Sequence, residues 1–274
     1  MAKVSVLVAA WQAQATLAAA LDSVLQQTEP DWELFLIADD GVDYRAHLPE
    51  VVVADSRMVF LSSGGVATGP SRARNVGLAQ ASGSHVAVLD ADDLFAPRRL
   101  EVLLGTAERH GLASDCVRVT DASGRVLRHA FPPGSPDRHI TAEDIMACGV
   151  PLNPLIRRDL IETGWPDIPF AEDVVVNLQL LDRAGCFPVV MQPLYNYVTH
   201  PASICHGPDA AVTADRGYGA ILAELEAGGF GLSGEMRLTA RQGFLEKQAN
   251  NQAYARALEK DDTLSFQAFM ARGS

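Results

Sequence analysis

GVATGPSRARNVGLAQASGSHVAVLDADDLFAPRRLE, residues 65–101, is the stretch that decides the fold. Gly64, Gly65 and Gly69 place a loop over 62–70. Residues 71–81 read as a helix, with Gly83 as its C-terminal stop. The apolar run 85–89 follows, short enough for a strand buried on both faces. It ends in Asp90-Ala91-Asp92-Asp93, and Pro97 then opens a helix reaching about His110. A buried strand between two helices, closed by carboxylates, is one unit of a parallel sheet that binds ligands beyond its strand ends.

The unit recurs upstream. Residues 4–9 form a valine-rich strand, and Thr16 caps a helix whose Leu17, Leu21, Val24 and Leu25 share one face. Residues 33–38 (ELFLIA) are a second buried strand ending in Asp39-Asp40-Gly41, and 58–61 are a third. Downstream, 117–120 and 125–127 flank a turn at 121–124. The proline-rich 131–137 is a loop or lid, 141–148 a short helix and 172–184 a longer one. Strands are expected at 189–191 and 194–198. From Asp209 the pattern is helical, broken near Gly228-Gly229 and Gly234. The expectation is a doubly wound, mostly parallel α/β sheet with helices on both faces and a C-terminal helical extension. The core would span 1–205, about 1–115 as a nucleotide-binding half and 116–205 as an acceptor-binding half, with the extension at 206–274.

Composition narrows the partners. The 274 residues carry 34 acidic and 22 basic side chains, a formal charge of −12. Phosphate backbones are held by clustered Lys and Arg, so nucleic acid is not an expected partner. Only three lysines occur, Lys3, Lys247 and Lys260. No apolar run approaches the ~18–20 residues of a membrane helix. No basic segment, apolar stretch and cleavage site follow one another at the N-terminus, so a cytoplasmic location is expected. Cys116, Cys148, Cys186 and Cys205 are scattered, and the histidines form no ligand spacing, so neither supplies the chemistry.

Asp90 and Asp92, at i and i+2, project to one side of an extended or turning backbone. Two such carboxylates repel unless a proton or cation lies between them. Mg2+ and Mn2+ favour one or two carboxylates completed by phosphate oxygens and water. Other phosphate and calcium motifs do not fit. An EF-hand needs glycine at position 6, where Phe95 stands. A Walker loop needs a lysine that 64–71 lacks, and no GxGxxG follows the first strand.

Three segments resemble family 2 glycosyltransferases, sugar-nucleotide-dependent inverting enzymes of the GT-A fold. They are VSVLVAAWQAQATLAAALDSVLQQTEPDWELFLIADDGVDY (4–44), residues 65–101, and FAEDVVVNLQLL (170–181). PLYNYVTHPAS (193–203) is a weaker match. The resemblance implies residue roles. Ala9 and Trp11 border the nucleotide base, with the indole able to stack on it. Asp39 by gap-free alignment, or Asp40 by matching the DDG string, bonds the uracil ring. One of Arg72 and Arg74 faces the nucleotide; at i and i+2 a helix points them in different directions. Asp90 lies near the ribose or sugar, and Asp92 holds the metal. Asp93 is a second metal or sugar contact, or a helix cap, and His200 is a late metal or phosphate contact. Asp173 is the general base and Glu172 orients the acceptor or the base.

The implied activity is metal-dependent transfer of a sugar from a nucleotide-sugar donor, expected to be a UDP-sugar, to an acceptor hydroxyl. The cofactor is Mn2+ or Mg2+, the acceptor a glycan or lipid-linked sugar, and the product a surface or extracellular polysaccharide. Residues 206–274 would cover the acceptor cleft or make a peripheral membrane or homo-oligomer contact. A sugar-phosphate nucleotidyltransferase is the alternative, but its GxGxR loop and lysine after the first strand are missing. A catalytically silent nucleotide-binding protein is the other, against which the intact Asp92, Glu172 and Asp173 argue. Some positions depart from the family pattern. Ala9-Ala10-Trp11-Gln12 replaces a polar or proline-containing strand end, Val42 replaces a serine, and Val198 stands where arginine is common.

Overall fold

The computed structural model describes residues 3–161, 163–199, 209–259, 261, 266, 269 and 270. His200 and Cys205 lie outside them. In chain order the elements are β1 (Val4–Ala10), α1 (Leu17–Leu25), β2 (Trp32–Ala38), α2 (Glu50–Val53), β3 (Met58–Ser62), α3 (Pro70–Gln80), β4 (His85–Val88), β5 (Leu94–Phe95), α4 (Arg99–His110) and β6 (Leu112–Asp115). There follow β7 (Arg118–Asp121), β8 (Val126–His129), β9 (Arg138–His139), α5 (Ala142–Ala147), β10 (Leu155–Arg157), α6 (Glu172–Ala184), β11 (Pro188–Val190), β12 (Tyr195–Thr199), α7 (Ala210–Glu226) and α8 (Gly234–Leu258).

The main sheet has the order β3-β2-β1-β4-β10-β6-β11-β9. β1, β2, β3 and β4 pair in parallel, as their unbroken apolar runs require. β10 runs antiparallel between β4 and β6, and β9 antiparallel to β11. The sheet is therefore mostly parallel, and α3 packs on β1 and β2 while α4 packs on β6 and β10. β5, β12, β7 and β8 form a smaller sheet. Four short strands, β5, β6, β9 and β10, have no counterpart in the periodicity reading. Two to four residues carry no measurable period, and only pairing with neighbours makes them strands.

Local differences have local causes. Gly83 does not stop α3, which ends at Gln80 with Ala81 as its cap. It is where the chain passes against β1: a Cβ there would lie 2.6 Å from the Ser5 backbone nitrogen. Thr16 sits at the N-cap of α1 without bonding the helix; its hydroxyl donates to the Ala13 carbonyl at 3.4 Å. α4 begins at Arg99, two residues after Pro97.

The centre of the second half is a buried ion pair. Arg99 and Asp115 are both fully buried and 3.0 Å apart. The other Asp115 oxygen accepts the backbone N–H groups of Leu194 and Tyr195, and Arg99 also donates to the Asn153 carbonyl. Phe95 and Tyr195 lie against the guanidinium, with ring centres 4.3 and 5.1 Å away. One pair thus joins α4, β6, the approach to β12 and the segment holding Asn153. Arg99→Met would leave Asp115 buried without its cation, and loss of one partner of such a pair destabilises by about 3 kcal/mol or more. Urea unfolding should show a matching fall in midpoint; an unchanged midpoint would refute this account.

Candidate active site

Three parallel strands end at one edge. β1 ends at Ala10, opposite Ala38 of β2, and β4 pairs with β1 up to Val88. Trp11, Asp39-Asp40 and Asp90 are therefore carried to the same side of the sheet.

Trp11 is 43% exposed, so it is not a core aromatic, and Ala9 is half-buried. Asp39 is buried and clamps the entrance to α3, accepting from Thr68 N (3.1 Å), Thr68 Oγ1 (2.5 Å) and Gly69 N (2.9 Å). Burial raises its pKa, but hydrogen bonds from Ser63, Thr68 and Gly69 outweigh that and hold it below the usual range. Gly69, at φ +94°, lets the chain turn from this clamp into the helix. Asp40 holds the end of β1 in the same way. It accepts from Gln12 N (2.8 Å), Tyr44 Oη (2.8 Å) and Val42 N (3.1 Å), and the net effect again lowers its pKa against desolvation. Both aspartates stand at the predicted place, each already bonded to the protein.

Arg72 and Arg74 separate as helical geometry requires. Arg72 is exposed, whereas Arg74 is buried and forked between two carboxylates. Its Nη2 lies 2.7 Å from Asp90 Oδ1 and its Nη1 3.0 Å from Glu172 Oε1. Burial lowers the guanidinium pKa, but Asp90 and Glu172 raise it by more, so it stays charged. This fork brings together two clusters 82 residues apart in sequence, counted from Asp90 to Glu172.

Asp90 is also reached by Asn153, whose Nδ2 lies 3.3 Å from Oδ2. Asp92 is half-buried at the turn after β4. Asp93 behaves differently: it is fully buried, accepting from Tyr195 Oη at 2.8 Å and the Val198 backbone N–H at 2.7 Å. Burial, reinforced by Asp90 and Asp92, raises its pKa well above the usual carboxylate range. It does not cap the following helix, which starts at Arg99 with Arg98 as N-cap. Its carboxylate ties the turn to β12, facing away from solvent.

Glu172 and Asp173 open α6, as expected, where carboxylates favour the helix N-terminus. The turn before them is unusual, because Ala171 has φ +62°. A non-glycine residue in this region is held there by its surroundings. Asp173 is desolvated and faces Glu172, and together these push its pKa up to about 6 despite Arg74.

Asn153, Tyr195, Thr68 and Tyr44 complete the site without being singled out in sequence. Tyr195 is the hub, donating to Asp93 and accepting from the Asp90 N–H (3.3 Å) and Asn153 (3.1 Å). Its only signal was its place in the weakly matching 193–203. Asn153 had none, being in an irregular segment.

A sequence model described as Glycosyl transferase family 2 matches residues 5–165. The chain is 33% identical over 110 residues to the Escherichia coli UDP-Glc:alpha-D-GlcNAc-diphosphoundecaprenol beta-1,3-glucosyltransferase WfgD, covering 40% of this chain and 43% of that protein. It is 31% identical over 213 residues to an uncharacterized glycosyltransferase of Haemophilus influenzae, 72% of this chain and 65% of the other. The matches span less than half of WfgD and about a fifth of an uncharacterized Rickettsia felis glycosyltransferase. Among solved structures, Staphylococcus aureus TarS 1–349 in complex with UDP-GlcNAc superposes with a TM-score of 0.65 at 18% identity, over 89% of this chain and 71% of that one. The Pyrobaculum calidifontis mannosyltransferase PcManGT, in complex with GDP-Man and Mn2+, gives 0.58 at 14% identity over 99% and 79%. Those likenesses establish the fold. The family match, over more than half of the chain, shows that this protein belongs to glycosyl transferase family 2.

Proposed function

We propose that the protein is a metal-dependent inverting transferase that moves a sugar from a UDP-sugar to an acceptor hydroxyl. The carrying observation is the Arg74 fork, which fixes the donor-side Asp90 and the acceptor-side Glu172 within one site. WfgD is named for a UDP-sugar donor and a lipid diphosphate acceptor. That supports a UDP-sugar donor and a glycan or lipid-linked sugar acceptor here, in surface polysaccharide synthesis at the inner face of a membrane. No helix among the described residues is long and apolar enough to cross one. Residues 1–115 bind the nucleotide and 116–205 form the acceptor side.

In this reading Trp11 stacks on the base and Ala9, Asp39 and Asp40 shape its pocket. Asp90 faces the ribose or sugar, and the exposed Arg72 is a further nucleotide contact. Asp92 suits Mg2+ or Mn2+, since it is a hard oxygen donor in a crowded carboxylate turn whose repulsion a cation relieves. The described residues contain no group of three or more His, Cys, Asp or Glu poised around one point. Asp92 is the residue that would hold such an ion, with the donor's phosphates as the other oxygen ligands such ions favour. When bound, the cation supplies Lewis-acid stabilisation to the diphosphate leaving group.

The protein's own part is the proton. Asp173 accepts it from the acceptor hydroxyl as that oxygen bonds to the anomeric carbon from the face opposite the diphosphate. The anomeric carbon–oxygen bond to phosphate breaks, and the diphosphate leaves with the electron pair. Attack from the opposite face inverts the centre. Glu172, held by Arg74, aims the acceptor.

With UDP and Mn2+, the wild type should gain about 2–3 kcal/mol of stability at a hundredfold excess over Kd, read as a rise in Tm. Asp92→Ala should lose that rise. No stabilisation of the wild type by UDP with metal refutes the donor site. Because Asp173 works ionised and its pKa stands at about 6, transfer should rise through that pH and level above it. Asp173→Asn should lower kcat by about 10²–10⁴-fold; full transfer by this variant refutes the base assignment. The same raised pKa costs stability, absent below the ordinary carboxyl value and complete above about pH 6. Asp173→Asn should therefore be about 1–3 kcal/mol more stable than wild type at pH 7.5, with the gap closing below about pH 4. Denaturant titrations at the two pH values check this.

A further inference from the structure

α7 and α8 grip α6 at both ends. At the far end, Asp182 accepts from Ser233 N and Oγ at 2.6 and 2.7 Å, where α8 begins. One turn earlier, Gln179 Nε2 donates to the Phe230 carbonyl at 2.7 Å, in the link between α7 and α8. The two helices are themselves tied together. Asn251 Nδ2 of α8 donates to the Ala211 carbonyl of α7 at 2.8 Å, and the buried Phe244 of α8 lies 6.1 Å from the Tyr218 ring of α7.

At the near end the approach is closer. A Cβ on Gly217 of α7 would stand 2.5 Å from the Phe170 Cβ, 3.2 Å from its Cα and 3.1 Å from its carbonyl oxygen. The bare backbone of α7 therefore rests on the main chain of Phe170. The Tyr218 ring, next along α7, meets the Phe170 ring edge-on at 5.7 Å. Glycine weakens a helix interior relative to alanine, and this contact is what its missing side chain permits.

Ala171 is the one residue between two anchors. On one side Phe170 is pinned against Gly217; on the other, Glu172 Oε1 lies 3.0 Å from Arg74 Nη1. With both neighbours placed, the Ala171 backbone has to join them, and it does so at φ +62° and ψ +28°, in the left-handed region that a Cβ disfavours. Its carbonyl still accepts from Val175 N at 3.3 Å, which begins α6. The first turn of α6, with Asp173 on it, is thus set from the core through Arg74 and from the C-terminal helices through Phe170.

We propose that Gly217 is a positioning residue for the candidate base: by letting α7 close on Phe170 it holds the Ala171 turn and so sets where Asp173 points. This rests on reading Asp173 as the base. It makes the C-terminal helices part of the acceptor side, although they and the turn lie beyond residues 5–165 of the family match. A methyl at 2.5 Å has to retreat by about 1 Å to reach ordinary carbon–carbon contact. A misplacement of that size near the reacting groups can lower the rate by about 10²-fold.

The test uses the full chain and compares Gly217→Ala, Asp173→Asn and the double variant, with kcat read as UDP release from UDP-glucose and UDP-GlcNAc with water as the acceptor. Gly217→Ala should keep the rise in Tm with UDP and Mn2+ and a donor KM within about twofold of wild type, while kcat falls by about 10–100-fold. In the Asp173→Asn background the same substitution should lower kcat by less than about threefold, since a change acting through the base has nothing further to remove. A glycine that served packing alone would lower Tm and leave kcat in place, or lower both backgrounds by the same factor. Either of those results overturns the proposal, as does loss of the UDP response. If Gly217→Ala does not fold, Tyr218→Leu takes its place, withdrawing the ring from Phe170 without adding a clash. A lower kcat with the UDP response kept is then expected, and an unchanged kcat overturns the proposal. Loss of turnover in Asp173→Asn with none in Gly217→Ala strikes this proposal alone. Full turnover by Asp173→Asn strikes the base assignment first, and this proposal with it.

Discussion

The site depends on Arg74. A guanidinium only 7% exposed would be costly to bury alone, and it is held because Asp90 and Glu172 each contribute a carboxylate at hydrogen-bond distance. The arrangement is mutually required. Asp90 ends a central strand and Glu172 begins a helix far along the chain, so neither could be buried this deeply beside the other without the cation between them. The planar fork is what makes the bridge possible, since a lysine presents one point charge and cannot span two carboxylates in fixed directions. Asp90 and Glu172 are thereby set at a fixed separation by one side chain.

Around this bridge, each carboxylate differs through its surroundings. Asp39 and Asp40 accept several N–H and O–H donors and are depressed, serving as clamps for the strand ends. Asp93 has two donors but complete burial and two acidic neighbours, and is raised. Asp173 is desolvated beside Glu172 with Arg74 engaged elsewhere, which leaves it near the middle of the useful range for a base at neutral pH. The same residue type thus yields a clamp, a buried strut and a candidate base. The overall charge of −12 says little about any of them, because burial and hydrogen bonding act over a few ångströms.

The long elements were legible because they repeat a pattern. α6 begins and ends at the expected residues, and β1, β2 and β4 agree to within about one residue. Their hydrophobic period is sustained over a whole element, and terminal glycines or carboxylates mark the ends. β5, β6, β9 and β10 were not legible, being two to four residues long and defined by partners distant in sequence. Gly83 stands where glycine commonly ends a helix; its real constraint is the backbone of Ser5 in β1, which passes against it.

The sequence by itself determined the class of the fold, the end of the sheet that carries the candidate site, and the acidic residues gathered there. Those follow from local periodicity and from carboxylates standing at strand and helix ends. Only the tertiary structure decided that Arg74 and not Arg72 is the bridge, that Asp93 turns inward, and that Tyr195 and Asn153 support Asp90. Each of these is a contact or a field between segments many residues apart, and the direction and burial of a side chain there are set by what the rest of the chain packs against it.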